Sequence, residues 1–222
     1  PEVMRKKNAI WADRQEINVI GCYDNYTKTY VLWTQHSELT TDNSLEVYDG
    51  IDVEVNRFTN EFDMLNDFVE WLDDIDPDVL LAWGMGFYDL PTLYARLEST
   101  GVGAYKLSPS SLGKNRFMEP PDPKHKHRYH PSRQPIVGRV VISLDTLFDR
   151  VYHDSKSTNI TSNKLDVVGR TMFGRGKTDF RPDFYDPNYH TFINDFLYYN
   201  FRDVELMVEI EEKYNLIKGQ MA

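Results

Sequence analysis

The sequence predicts an α/β domain. Two observations carry that reading. Short strand-like apolar runs alternate with amphipathic helical stretches, in the order strand, helix, strand, helix. One of those runs, Val79–Trp83, is wholly apolar and short, the pattern of a strand buried on both faces. The 222 residues fit a single domain over 1–222, and 41 % hydrophobic and 14 % aromatic content supplies a core.

Taken in order, Ile17–Tyr23 and Thr29–Trp33 read as two strands, with Asp24-Asn25-Tyr26-Thr27 as the turn between them. Ile51–Val55 alternates apolar and acidic residues, as a half-exposed strand does. Asn60 can cap a helix in which Met64, Leu65, Phe68, Val69 and Leu72 form one apolar face. Asp76-Pro77-Asp78 breaks that helix, and the Val79–Trp83 strand follows. Gly84 and Gly86 turn the chain into a second helix from about Leu90, with Leu93, Tyr94 and Leu97 inward.

Residues 105–135 mix Pro120, Pro121, Pro123, Pro131 and Pro135 with Lys124, His125, Lys126, His127, Arg128 and His130, and read as a loop or extended hairpin. This is the one strongly basic patch. Its histidine spacing invites a metal reading, but no cysteine lies nearby to complete a zinc site, and a solvated basic loop is the preferred reading. A DNA-facing loop is a third, weaker one. Val140–Leu144 is a further strand, Asp145 to about Tyr152 a short helix, and Lys164–Phe173 a helix ended by Gly174. Residues 178–190 read as loop. The last helix runs from about Thr191 to Leu216, with Phe192, Phe196, Val204, Met207 and Ile210 as its apolar stripe.

Composition excludes several classes. No apolar run approaches the roughly 20 residues that span a bilayer. The single cysteine, Cys22, rules out an internal disulfide and fits a reducing, intracellular setting, either a cytoplasm or a nucleus. The chain opens on Pro1 rather than Met, as an excised piece would, and no charged leader precedes an apolar stretch. A net charge of −10 argues against a strong autonomous nucleic-acid binder. It does not argue against a nuclease, because a two-metal site needs clustered carboxylates.

Two places could carry chemistry. In Trp83–Pro91, a strand ends in a glycine turn and Asp89 opens the next helix. Sites in open α/β sheets gather at the carboxyl ends of strands, so Asp89 is either a catalytic carboxylate or simply a helix N-cap. On the last helix, Tyr199 and Asp203 share a face that also carries Phe196 and Met207. An aspartate on a buried face is paired with a base, Arg202 or another, or binds a metal.

Together the two places resemble motifs of the exonuclease of family B DNA polymerases, a DnaQ-like, RNase H-like domain. Trp83–Pro91 is similar to its second motif, Trp-Asn-x-x-x-Phe-Asp-x-Pro, and Tyr199 with Asp203 to its third, Tyr-x-x-x-Asp. The segments Phe58–Leu65, Asp76–Leu80, Gly138–Val141, Lys164–Val168 with Gly174 and Lys177, and Asp203–Leu206 resemble the family's intervening runs in order and spacing. The resemblance implies an RNase H-like mixed sheet flanked by helices. It implies two-metal hydrolysis, with Mg²⁺ or Mn²⁺, at the 3′ end of single-stranded DNA. It further implies that Asp89 and Asp203 hold metal, that Tyr199 orients the attacking water, and that Lys177 balances charge. Gly84 and Tyr88 stand at substrate-binding positions, where the family has Asn and Phe.

The family's first motif, Asp-x-Glu on the central strand, is expected upstream of Pro1. Its absence predicts little tight metal binding, an incomplete sheet, a dimer through the exposed edge, and reliance on the remaining polymerase domains. An Asp-x-Glu does occur at Asp52-Val53-Glu54, but it falls on an edge strand in the resemblance and reads as a solvent-facing acidic strand. A catalytically degenerate scaffold domain and a stand-alone DnaQ-like nuclease are the competing readings. The family's use of Tyr rather than His at the Tyr199 position weighs against the latter.

Overall fold

The computed structural model describes residues 15–125, 128–130, 132–153, 160, 162–178 and 189–217. The architecture is mixed α/β, with six strands in two sheets and five α-helices among the described residues. The chain divides into two compact units. One is built on Asn18–Asn60 and the chain from Leu147 onward, the other on Glu61–Thr146.

The first unit holds the four-stranded sheet. Its strands are β1 (Val19–Asp24), β2 (Thr29–Gln35), β3 (Asp42–Tyr48) and β4 (Ile51–Phe58), in the order β1-β2-β4-β3. β1 and β2 form the predicted hairpin. The Asp24 carboxylate closes its turn by accepting the Tyr26 and Thr27 amides (3.0 and 3.2 Å) and the Thr27 hydroxyl. The sequence reading missed β3. Asp49 and Gly50, with φ of 52° and 84°, supply the two-residue turn that joins it to β4.

The placement of Asp52 and Glu54 needs correction. β4 is an interior strand, parallel to β2 and antiparallel to β3, not a sheet edge. Its period of two still sends Asp52 and Glu54 to one face while Val53 and Val55 enter the core on the other. There Val53 and Val55 pack with Tyr30, Leu32, Leu197, Phe201 and Val204.

Three of those partners lie on the last helix, α5 (Ile193–Tyr214). Its approach to β1 explains Gly21. A Cβ there would collide with Asn200 Oδ1, with Leu32 and Val204 close behind. The helix stops at Asn215 in the left-handed conformation. Its predicted apolar stripe holds at Phe196, Val204 and Ile210, but Phe192 precedes the first α-helical turn and is 46 % exposed. α4 (Leu165–Phe173) ends at Gly174, φ 70°, as the sequence required. Tyr214 of α5 meets Phe148 edge-on, and its hydroxyl meets the Met172 sulfur.

The second unit contains α1 (Glu61–Ile75), β5 (Val79–Ala82), α2 (Asp89–Thr100), β6 (Val140–Ser143) and the start of α3 (Leu144–His153). The five predicted core residues of α1 are all buried. β5 is only half-buried, not buried on both faces as its apolar composition suggested, because among the described residues it pairs with β6 alone. α2 buries Leu90 and Leu97, while Leu93 and Tyr94 are only half-buried. It also buries Arg96, which lies against the equally buried Glu61 of α1. The buried Arg139 guanidinium donates to the carbonyls of Leu72, Pro77 and Leu107, capping the end of α1 and tying down the chain on either side.

The 105–135 region holds short 3₁₀ turns, and the antiparallel bridges Met118↔Ile136 and Asp122↔Arg128 give it the form of an extended hairpin. Lys126, His127, the side chain of His125 and most of 178–190 lie outside the described residues.

Candidate active site

The Asp89 region, in the second unit, grows from the end of β5. Gly84 takes φ 77°, which starts a tight turn in which the Phe87 amide donates to the Gly84 carbonyl at 2.9 Å. Gly86 is needed for a different reason. The Tyr129 amide bonds its carbonyl at 2.8 Å, and a Cβ on Gly86 would lie 2.9 Å from the Tyr129 oxygen. The turn delivers Asp89 as the first residue of α2, exposed, where its charge suits the positive end of the helix. Tyr88, not Asp89, holds the N-cap position, so the N-cap reading of Asp89 does not stand. Tyr88 is 55 % exposed beside it.

Asp145, which the sequence reading did not single out, braces this turn. Its carboxylate accepts the Gly84 amide at 3.2 Å and the Ser143 hydroxyl at 2.7 Å. The signal was available: an aspartate closely following an apolar strand, as Asp89 follows β5. Gly84 stands where the family pattern has Asn. Asn tolerates a positive φ, and a Cβ at Gly84 would meet nothing within 4 Å. The departure therefore removes a side chain without changing the turn.

The Asp203 region, in the first unit, lies on α5. Tyr199 and Asp203 sit one turn apart, both half-buried. Lys177 reaches them from the chain after α4. Its amide bonds Asp166 Oδ1 at 2.9 Å, and the chain passes so near that a Cβ on Gly176 would collide with that same oxygen. The Lys177 ammonium then donates to Asp203 Oδ2 and lies 3.4 Å from the Tyr199 hydroxyl. Asp203 is thus paired with Lys177. Arg202, the neighbour considered as its partner, turns instead to Glu205 and Asp49.

The electrostatics follow from this packing. Burial pushes the Asp203 carboxyl above the usual aspartate range; Lys177 holds part of that rise back, and Asp166 adds to it. Burial works to lower the Lys177 ammonium, but Asp203 and Tyr199 more than offset it, and its pKa lies above the usual lysine value. Asp203 Oδ1 is buried and, among the described residues, accepts no hydrogen bond. That orphaned oxygen suits one ligand position of a hard divalent cation. Among the described residues no group of three His, Cys, Asp or Glu is arranged to complete such a shell, so the fit to a cation is partial.

Comparison with known proteins gives the same family over a span that includes Trp83–Pro91 and stops before Lys177, Tyr199 and Asp203. The family described as DNA polymerase family B, exonuclease domain, matches residues 4–168. Two curated relatives are DNA polymerases, from Thermococcus litoralis (27 % identical over 124 residues) and Thermococcus aggregans (28 % over 124 residues). Each alignment covers 56 % of this chain and only 6 % of the relative.

Proposed function

The chain belongs to the exonuclease-domain family of family B DNA polymerases, and from that premise we propose that it is the 3′→5′ proofreading exonuclease domain of such a polymerase. Its substrate is the 3′ end of single-stranded DNA, delivered by the remaining polymerase domains. The observation that carries the reading is the Lys177, Tyr199 and Asp203 constellation, with the orphaned Asp203 Oδ1 at its centre.

Asp89 and Asp203 would hold Mg²⁺ or Mn²⁺. When bound, the cations supply a more acidic attacking water and stabilise the leaving 3′ oxygen. The Tyr199 hydroxyl orients that water. Lys177 favours the ionised form of Asp203 and balances charge near the scissile phosphate. Tyr88 contacts the strand at the turn, and Gly84 offers it only backbone. Both candidate metal ligands are single carboxylates, and neither Asp-x-Glu triplet of the chain, Asp52-Val53-Glu54 on β4 or Asp203-Val204-Glu205 on α5, stands at the position of the family's first motif. The chain alone should therefore hold cations weakly and hydrolyse little.

The test uses a 5′-labelled single-stranded oligonucleotide with Mg²⁺ or Mn²⁺. The chain alone should show no significant 3′→5′ degradation. Full-length parent protein should degrade it, and Asp203→Ala should reduce that rate about 100-fold or more. Activity of the parent that survives Asp203→Ala removes the residue assignment. A parent with no activity favours the degenerate scaffold, a reading that the Lys177–Asp203 pair also fits, since it neutralises the carboxylate without metal. Robust activity of the chain alone, lost on Asp52→Ala, would move the first motif to Asp52 and Glu54. Pairing of two copies through a sheet edge is a separate expectation, and a clean monomer by light scattering removes it.

A further inference from the structure

Among the described residues β3 forms the outer edge of the four-stranded sheet, and its seven residues run in unbroken register against β4. Soluble proteins guard such edges with lysine, proline or a bulge. β3, Asp-Asn-Ser-Leu-Glu-Val-Tyr, has none of these. Instead Leu45 and Val47 project from one face at 70 % and 64 % exposure. Directly behind them on the same face stand carboxylates: Leu45 is opposite Glu54, and Val47 is opposite Asp52. Asp52 is exposed, and Glu54 is half-exposed with one oxygen accepting from Asn56. An apolar ridge backed by an acidic row is thus presented beside a backbone edge that no described strand covers and whose own charges, Asp42 and Glu46, are both acidic.

The geometry points to this edge as a docking strip for an extended cationic segment of a partner protein, which adds to the sheet as a fifth strand. A strand laid beside β3 would sit two strand spacings from β4, roughly 10 Å away. Lysine or arginine on its matching face would lay an aliphatic stem over Leu45 and Val47 and bring its charge to Glu54 and Asp52. Backbone pairing supplies affinity, and the alternating face supplies specificity. A second copy of this chain is a poor occupant, because it would bring the same carboxylates to a surface of a molecule already at −10. The proposal does not depend on the nuclease reading, since none of these residues belongs to that site.

The probe is a fluorescein-labelled peptide of alternating Lys and Thr, compared with a block-ordered peptide of the same composition, by anisotropy. The alternating peptide should bind about tenfold more tightly. That advantage should vanish in Leu45→Ser/Val47→Ser and shrink in Asp52→Asn/Glu54→Gln. Both double variants change side chains at the surface, and circular dichroism checks that each is folded. Amide exchange within β3 should slow with the alternating peptide alone. Equal affinity for the two peptides, or an advantage that survives Leu45→Ser/Val47→Ser, would sink the proposal. So would a concentration-dependent dimer abolished by that double variant, which would assign the edge to a second copy.

Discussion

At the scale of single residues, the Lys177–Asp203 pair carries the most information. Both side chains are only about a quarter exposed, so each charge is costly without the other. Lys177→Met removes the one group that holds the Asp203 carboxyl down. Its pKa, already raised by burial, should rise further, which carboxyl-carbon NMR titration can follow. The sign of the stability change follows from linkage. An acid with a raised folded-state pKa favours folding while protonated and loses that contribution as pH climbs through the unfolded and then the folded value. The variant should therefore match the parent chain most closely in acid and fall behind as pH rises toward neutrality. At pH 7 the deficit should be about 1–3 kcal/mol by urea denaturation. An Asp203 pKa that does not move would mean Lys177 is not its counter-ion in solution. Tyr199 and Asp203 were legible as a helical pair, because four-residue spacing fixes their common face. That Lys177 meets them was not, since 26 residues separate it from Asp203 and only the family resemblance brought it into view.

At the scale of elements, the legible parts were those whose apolar periodicity faces a core. α1 is the clear case, with its five predicted residues buried. β3 escaped notice for the opposite reason: its two aliphatics point outward, so no hydrophobic face marks it, although Asp49-Gly50 was a usable turn signal. The interior place of β4 could not be read locally, because its parallel pairing with β2 is a long-range choice. The contact between α1 and α2 likewise depends on a pair invisible to periodicity, Glu61 with Arg96. Their side chains are 4 % and 10 % exposed, and Glu61 also accepts the Ile17 amide at 2.7 Å. Arg96→Met should leave a buried carboxylate without its cation and cost about 3–5 kcal/mol in chemical denaturation. The double change Glu61→Gln/Arg96→Met should recover a substantial part of that loss. Equal stability of the single and double variants would show that no charge is stranded there. Because α2 starts at Asp89, this pair also anchors the helix that carries one candidate metal ligand.

At the scale of the whole molecule, charge constrains function more than the fold does. The family match assigns an exonuclease domain, yet the chain carries −10 and aligns with only 6 % of the length of its polymerase relatives. Affinity for nucleic acid at physiological salt comes chiefly from phosphate neutralisation and counterion release, and non-specific binders reach about 10⁻⁴–10⁻⁶ M that way. An acidic surface offers few such contacts, and the basic residues of 105–135 are partly committed within their own region. Arg116 lies over Tyr105 and bonds the Lys106 and Ser108 carbonyls, and Arg133 meets Glu119. The isolated chain should therefore bind a single-stranded thymidine oligonucleotide more weakly than about 10⁻⁴ M near 0.15 M salt, by anisotropy. Lowering the salt should strengthen binding only modestly, because the slope counts displaced counterions and few are displaced. Micromolar affinity with a steep salt slope would instead mean that the basic hairpin alone engages the strand, and delivery by other polymerase domains would no longer be required.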